Sequence, residues 1–222
     1  MKWAVFGLIA AVVLPVAGTF IYLNLLRDEA PERLDTTPAL AGTVDPSITL
    51  DGTWVVAEGS QVGYRVREIL FGQSAEAVGR TSDVEGSFTI EGSAVVEGSF
   101  EADLRSVQSD EVRRDRQFHG RIMETDRYPT ASFRLTRPLD LSSVQPQQTE
   151  GSATATGELT AHGVTNEVTF DLKGVRAGGQ IQITGSIPIV FADYNIGNPS
   201  GGPAQTEDHG VMEFALNFTK QG

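Results

Sequence analysis

The composition of this 222-residue chain limits what it can do. It contains no cysteine, which excludes disulfides, thiolate catalysis and cysteine-based zinc sites. Its 17 basic and 29 acidic residues give a formal charge of -12, so binding to nucleic acid is disfavoured. With 40% hydrophobic residues, the chain is able to form one ordinary domain with an appendage.

The N-terminal region predicts a membrane anchor. The stretch from Trp3 to Leu26 has 24 residues without a charge, which meets the roughly 20 residues that a bilayer core requires. Because this stretch is longer than the apolar region of a signal peptide, an uncleaved transmembrane helix over residues 1–27 is favoured over a cleaved leader. Lys2 favours a cytoplasmic N-terminus, so the rest of this single-pass chain is expected outside the cell membrane.

Residues 28–50 and residues 51–222 have different patterns. The first range has three prolines, several charges and no sustained period, which predicts a flexible linker. In the second, apolar or very small residues alternate with polar ones, and this period of two indicates β-strands. The predicted strands cover residues 53–57, 61–67, 79–90, 93–104, 130–136, 151–161, 165–175, 180–191 and 207–219.

The connections between these strands predict an all-β, antiparallel barrel. Glu91 and Gly92 form the turn of a long hairpin, and the other connections are short and resemble turns. Residues 106–123 break the alternation, with Ser109 or Asp110 as a cap and a run of arginines, which predicts one helix. No βαβ alternation occurs, so the eight or nine strands are expected to form a sheet that closes on itself.

The inward faces of these strands mix bulky side chains with glycine and alanine. Unfilled volume destabilises a packed core, so small inward residues favour a hollow barrel that holds one slender ligand. The alternative is a filled barrel in which the glycines mark bends. The predicted ligand-binding residues are Tyr64, Val84, Gly86, Phe88, Val96, Gly98, Phe100, Phe118, Tyr128, Phe133, Gly157, Leu159, Phe170, Ile183, Gly185, Ile187, Phe191, Tyr194 and Phe214.

Some of these residues have a specific expected place. Tyr64, Phe118, Tyr128 and Tyr194 are expected at the rim, where an amphipathic ring contacts the polar end of a ligand. For Tyr128, the alternative is that it only shapes the entry to the following strand.

Catalytic and metal-binding patterns are weak. The histidines His119, His162 and His209 have no spacing typical of a metal site. The sequence lacks the G-x-S-x-G motif of serine hydrolases, and the inward faces offer almost no catalytic group. We therefore expect no enzyme activity, no cofactor and no metal site, although an enzyme acting on a bound lipid remains an alternative.

Two segments carry a resemblance to a known family. The segment Tyr128-Pro129-Thr130-Ala131-Ser132-Phe133 resembles the "tyrosine-proline-x-alanine-x-phenylalanine" segment of the YceI-like family. The segment from Gly157 to Val168 is similar to that family's "G-x-LT-x-x-GVT-x-x-V" hairpin. Trp54, Gly86-Ser87-Phe88 and Ser106-Val107 also fall where the family has an opening tryptophan, a "G-x-F" and a "Ser-Ile/Val" motif, so the match extends from about Asp51 to Thr219.

The resemblance implies a function as well as a fold. YceI-like proteins are extended lipocalin-like barrels, usually exported, and some bind a polyisoprenoid or another long-chain amphiphile inside. We therefore expect an eight-stranded lipocalin-like barrel that binds a polyisoprenoid, an isoprenoid quinone or a similar lipid for transport, storage or shielding at the cell envelope. A homodimer is possible. The alternative function is a non-catalytic envelope-stress or interaction module with a filled barrel.

Overall fold

The computed structural model describes residues 30–35, 40, 42–45, 47–70, 72–142, 149–201 and 204–222. In these residues, thirteen strands and one short helix, α1 (Val112–Gln117), are present. A π-helical turn (Phe118–Ile122) follows α1, and 3-10 turns cover Leu104–Ser106 and Phe191–Tyr194. The strands are β1 (Gly52–Val56), β2 (Gln61–Leu70), β3 (Gln73–Thr81), β4 (Val84–Glu91), β5 (Ala94–Asp103), β6 (Gln108–Ser109), β7 (Thr130–Leu135), β8 (Leu139–Asp140), β9 (Glu150–Ala161), β10 (Val164–Ala177), β11 (Gln180–Val190), β12 (Ala204–Thr206) and β13 (His209–Lys220).

Eight of these strands form a closed antiparallel ring. Its order is β1, β4, β5, β7, β9, β10, β11 and β13, and β13 pairs back onto β1 through Val56 and Phe218. This confirms the predicted all-β barrel of eight strands with one short helix. The last three residues of β13 pair with β1, whereas Val211 to Ala215 pair with β2, so the β2–β3 hairpin extends the wall at one end.

The two ends of the barrel differ. The helix end carries α1, the β2–β3 turn, the β9–β10 turn and the first residues of β13. The opposite end carries the β4–β5 turn, the β10–β11 turn and the first residues of β1. Near the opposite end, the fully buried Trp54 and Phe218 both pack against the ring of Phe88, with centroid distances of 6.5 and 4.7 Å. The indole of Trp54 donates to the carbonyl of Leu50 at 2.8 Å.

Three local details differ from the sequence-based expectations. Most of strand β3 lies between the predicted strands 61–67 and 79–90, where no strand was expected. The N-cap of α1 is Glu111, whose carboxylate accepts from the backbone N–H of Arg113, and neither Ser109 nor Asp110 has this role. A bulge in the β4–β5 pair places Thr89 opposite Glu97 and Ile90 opposite Val95. Val96 is therefore the extra residue of the bulge, which reverses the side on which Val95 and Val96 lie.

Part of the segment before the barrel, residues 28–50, which was expected to be a flexible linker, makes hydrogen bonds to the barrel. Within residues 30–50, the backbone N–H of Leu40 donates to Gln182 Oε1 at 3.3 Å, and Thr43 accepts from Gly178 at 2.8 Å. The carbonyl of Ile48 accepts from Arg176. The described residues of this segment therefore follow the outer wall of the barrel.

The predicted transmembrane helix, residues 1–27, lies outside the described residues. In the part of the chain that the structure describes, no helix has the length and apolar character needed to cross a membrane.

Candidate ligand-binding lumen

A narrow cavity of about 210 Å³ lies inside the barrel, towards the end opposite the helix. Its wall is almost wholly apolar and includes Val84, Leu135, Leu172, Ile183 and Leu216. An engineered cavity of about 150 Å³ with a similar lining holds benzene, so this space is large enough for a section of a hydrocarbon chain. The filled barrel considered from the sequence would not leave such a space.

A wider cavity of about 1580 Å³ lies at the helix end. It is bounded by β2, β3, α1 and the loop of residues 196–201. Tyr64 and Phe118 stack in its wall, with ring centroids 5.0 Å apart and planes 12° from parallel. Burial raises the pKa of the Tyr64 hydroxyl well above its ordinary value, so this group is neutral at physiological pH.

The two cavities adjoin each other inside the barrel. They share five lining residues, Val62, Ala102, Ala131, Leu159 and Met212. The two adjoining cavities, narrow towards the opposite end and wide at the helix end, are together called the lumen. A slender chain with a bulkier end fits this shape better than a compact ligand.

The wider cavity reaches the surface beside a group of arginines. The exposed side chains of Arg113 and Arg116 border it. Arg114 is paired with Asp110 and lies 3.8 Å from Glu68, while Arg121 donates to the carbonyl of Pro199 at 3.1 Å. The lumen is thus apolar inside and polar at its helix-end rim, as an amphiphile requires.

Three of the predicted inward glycines support aromatic rings of the wall. A Cβ on Gly157 would lie 2.6 Å from Phe133 Cε2, and one on Gly185 would lie 2.6 Å from Phe214 Cζ. Gly86 faces the ring of Phe100 directly across the β4–β5 pair. An aromatic ring that covers a cross-strand glycine is a known way of stabilising a strand at that position. These glycines therefore make space for wall rings and not for a ligand.

Gly98 is different. A Cβ at this position would lie 3.6 Å from Phe88 Cβ and 3.7 Å from Leu135 Cβ, which are ordinary van der Waals distances. Gly98 also lines the narrow cavity. At this glycine, and not at the other three, the missing side chain leaves open volume in the lumen.

The structure brings most of the predicted residues to the lumen. The narrow cavity is lined by ten of them: Val84, Phe88, Gly98, Phe100, Phe133, Leu159, Phe170, Ile183, Ile187 and Phe214. The wider cavity is lined by Tyr64, Phe118 and Phe191, and also by Leu159. The residues that line neither cavity are Gly86, Val96, Tyr128, Gly157, Gly185 and Tyr194.

The six residues outside the lumen each have a structural reason. Because of the bulge, Val95 lines the lumen at the place where Val96 was expected. Each of the three glycines lies beneath an aromatic ring of the wall. Tyr128 packs on the His162 ring at 4.7 Å, which corresponds to the alternative in which it shapes the strand entry. Tyr194 is buried in a 3-10 turn, where its carbonyl accepts from His162 Nδ1 at 3.1 Å.

Much of the wider cavity was not predicted from the alternation of apolar and polar residues. Its wall includes one further residue of β2, side chains from the helix region and from the loop after β11, and a residue of β3, where small residues conceal the strand pattern. These additional residues are Val66, Ala77, Val107, Ile122, Met123 and Ile196. Among the described residues, no three His, Asp or Glu side chains are grouped closely enough to hold a metal ion.

Comparisons with known proteins agree with this fold. The model of the family described as "YceI-like domain" matches residues 54–218. A polyisoprenoid binding domain from Saccharophagus degradans, implicated in plant cell wall breakdown, has a TM-score of 0.62 at 18% identity, covering 77% of this chain and 99% of that one. BcnA of Burkholderia cenocepacia has a TM-score of 0.56 at 16% identity, covering 78% and 98%. At these identities, the two structures show a shared fold.

A similarity in sequence extends to a curated protein. A UPF0312 protein of Vibrio parahaemolyticus is 25% identical over 127 residues, which cover 53% of this chain and 64% of the Vibrio protein. The match therefore spans slightly less than two thirds of that relative's length.

Proposed function

The chain belongs to the YceI-like domain family, and from this premise we propose that its barrel binds a long apolar or amphiphilic ligand such as a polyisoprenoid or an isoprenoid quinone. The observation that carries the proposal is the pair of adjoining cavities inside the barrel, a narrow apolar one and a wider one at the helix end. The Saccharophagus domain, which has the same fold and is described as polyisoprenoid binding, supports it.

The energy for binding comes from burial of the hydrocarbon chain. Each buried CH₂ group contributes about 0.8 kcal/mol, so roughly ten of them supply about 8 kcal/mol before the costs of association. A Kd of about 1 μM needs a net binding free energy of about -8 kcal/mol, so more than ten CH₂ groups must be buried to offset the costs of association as well. The tail would lie in the narrow cavity, and the polar end would lie at the helix-end rim near Arg113 and Arg116.

We also propose that residues 1–27 anchor the protein in the cell membrane, with the barrel on the extracytoplasmic side. In that position the barrel would transport, store or shield its ligand at the cell envelope. The proposal involves no catalytic step, because the narrow cavity that would hold the tail has an almost wholly apolar wall.

Native mass spectrometry tests the ligand directly. We expect the full chain, purified in mild detergent from its native membrane, to carry an additional mass that corresponds to one amphiphile. Organic extraction should release this molecule and leave the apo mass. A clean apo mass under gentle ionisation, with nothing in the extract, would contradict the proposed function.

Replacing Gly98 with leucine should separate binding from folding. The Cβ of the new side chain fits, and its remaining atoms enter the narrow cavity. We expect at least a tenfold loss of affinity for the extracted ligand, with a melting temperature close to that of the wild type. Gly98→Ala is the matched control and should retain the ligand. Wild-type ligand content in Gly98→Leu would show that the narrow cavity is not the binding site.

A further inference from the structure

Residues 30–35, called the strap below, are held against the outer wall by buried charges. Arg65 donates to the carbonyl of Pro31 at 2.7 Å, and Arg80 donates to the carbonyl of Glu32. Both guanidinium groups also donate to the carboxylate of Glu213, at distances of 3.0 Å, and Glu213 is 0% exposed. The strap is therefore fixed to the outer face of β2, β3 and β13.

The strap has a defined direction along the barrel. The carbonyl of Thr43 accepts from the backbone N–H of Gly178, which belongs to the β10–β11 turn, so the chain lies at the opposite end at this point. Leu40 lies beside Gln182, on β11. Hydrogen bonds from Arg33 and from Ser186 lower the pKa of Asp35, which places this residue further along β11. The path from Thr43 back to Pro31 thus runs towards the helix end.

The helix-end rim lies within a short distance of the start of the strap. The strap lies beside Ser186 and Glu213, which pair with each other across β11 and β13. Strand β11 ends four residues later at Val190, so the distance from Ser186 to the end of the strand is about 13 Å at 3.3 Å per residue. The uncharged N-terminal stretch ends at Leu26, and the four steps from there to Ala30 span at most about 14 Å. A membrane that holds this stretch is therefore close to the helix end.

The surface of the helix end is suited to lipid. The large apolar side chains most exposed among the described residues are Val112 at 71%, Ile69 at 47% and Val190 at 46%, and all three lie at this end. Arg113 and Arg116 are exposed beside Val112, and arginine suits the interface between apolar and polar lipid regions.

We propose that the strap holds the barrel with its helix end against the membrane surface, so that the wider cavity opens directly onto the lipid. This inference rests on the proposed membrane anchor and goes beyond it by assigning an orientation. A ligand would then pass between bilayer and lumen without exposing its tail to water. Carboxylates such as Glu111 also lie at this end, so contact should occur on zwitterionic lipid and depend mainly on the apolar residues.

Single cysteine labels test the orientation, because the chain contains no cysteine of its own. We would reconstitute the full chain into phosphatidylcholine vesicles that contain brominated lipid. An environment-sensitive dye would be attached at Val112→Cys or, as the control, at the exposed Ser93→Cys of the β4–β5 turn. We expect at least twofold quenching and a blue shift for the Val112→Cys label and no change for the Ser93→Cys label. Equal or reversed quenching would overturn the proposed orientation.

Two further measurements make the outcomes distinguishable. Flotation of the full chain with the vesicles tests the anchor separately, and the mass measurement tests the ligand separately. Insertion of twelve Gly and Ser residues between Arg27 and Asp28 adds roughly 19 Å of flexible reach. It should reduce quenching at position 112 by more than half while the melting temperature stays the same. Unchanged quenching would show that the strap does not orient the barrel.

Discussion

Replacing Glu213 with alanine is expected to lower the free energy of unfolding by about 3–5 kcal/mol. Its carboxylate is fully buried and accepts from Arg65, itself 3% exposed, at 3.0 and 3.2 Å. It also accepts from Arg80 at 3.0 Å. Without Glu213, the buried Arg65 loses one of its two carboxylate partners and keeps Glu76, and the partly buried Arg80 loses the carboxylate it contacts. Removing one partner of a buried ion pair lowers the free energy of unfolding by more than the pair itself contributes, because the desolvation penalty of the remaining charge is no longer compensated.

Urea denaturation monitored by tryptophan fluorescence measures the loss. The matched control is Glu158→Ala, which removes a similar contact between Glu158 and Arg134 at 2.6 Å on the exposed surface. There we expect a change of about 0–1 kcal/mol. The strap should also become accessible, so trypsin should cleave after Arg33 faster in Glu213→Ala than in the control. Equal stabilities of the two variants would mean that the buried network does not hold the strap.

The ring of eight strands was predictable from the sequence because alternation extends over most of it. Strand β3 was not, since Ala75, Ala77 and Gly79 are too small to give a clear apolar face. The bulge in the β4–β5 pair was also not predictable from the alternation along one strand. It adds one residue to one strand, and only the partner strand shows that Ile90 faces Val95 and that the position of Val96 is shifted.

The lumen was predictable in its narrow part and much less so in its wide part. Inward aromatic and aliphatic residues of regular strands follow the period of two, so ten predicted residues line the narrow cavity. The wider cavity depends on α1 and on the loop after β11, whose positions have no period to follow. The strap was missed for a related reason: Arg65 and Glu213 are 148 residues apart and both alternate outward, as solvent-exposed charges do. Only the register between β2 and β13 brings them together beneath residues 30–35.

Gly157→Ala is expected to destabilise the barrel by about 2–3 kcal/mol, although it adds a single methyl group. The new Cβ would overlap the carbonyl oxygen of Arg134 and lie 2.6 Å from Phe133 Cε2. The carbonyl belongs to the β7–β9 ladder, in which Arg134 pairs with Glu158, so it is unable to move without breaking strand pairing. The ring of Phe133 packs on Phe170, with centroids 5.3 Å apart, so a shift of this ring also disturbs its contact with Phe170.

The same change at Gly98 is the control, because both glycines lie on strands of the ring and were expected to face inward. A Cβ at Gly98 meets its nearest neighbours at 3.6 Å or more. Gly98→Ala should therefore leave stability unchanged or raise it by about 0.5 kcal/mol, since alanine restricts the unfolded chain. Chemical denaturation of the two variants in parallel decides between two roles for these glycines. Similar stabilities would mean that both make space for ligand. A large loss at Gly157 alone would show that the lumen is held open by rings resting on glycines of the wall, with Gly98 as the position where the missing side chain itself leaves room.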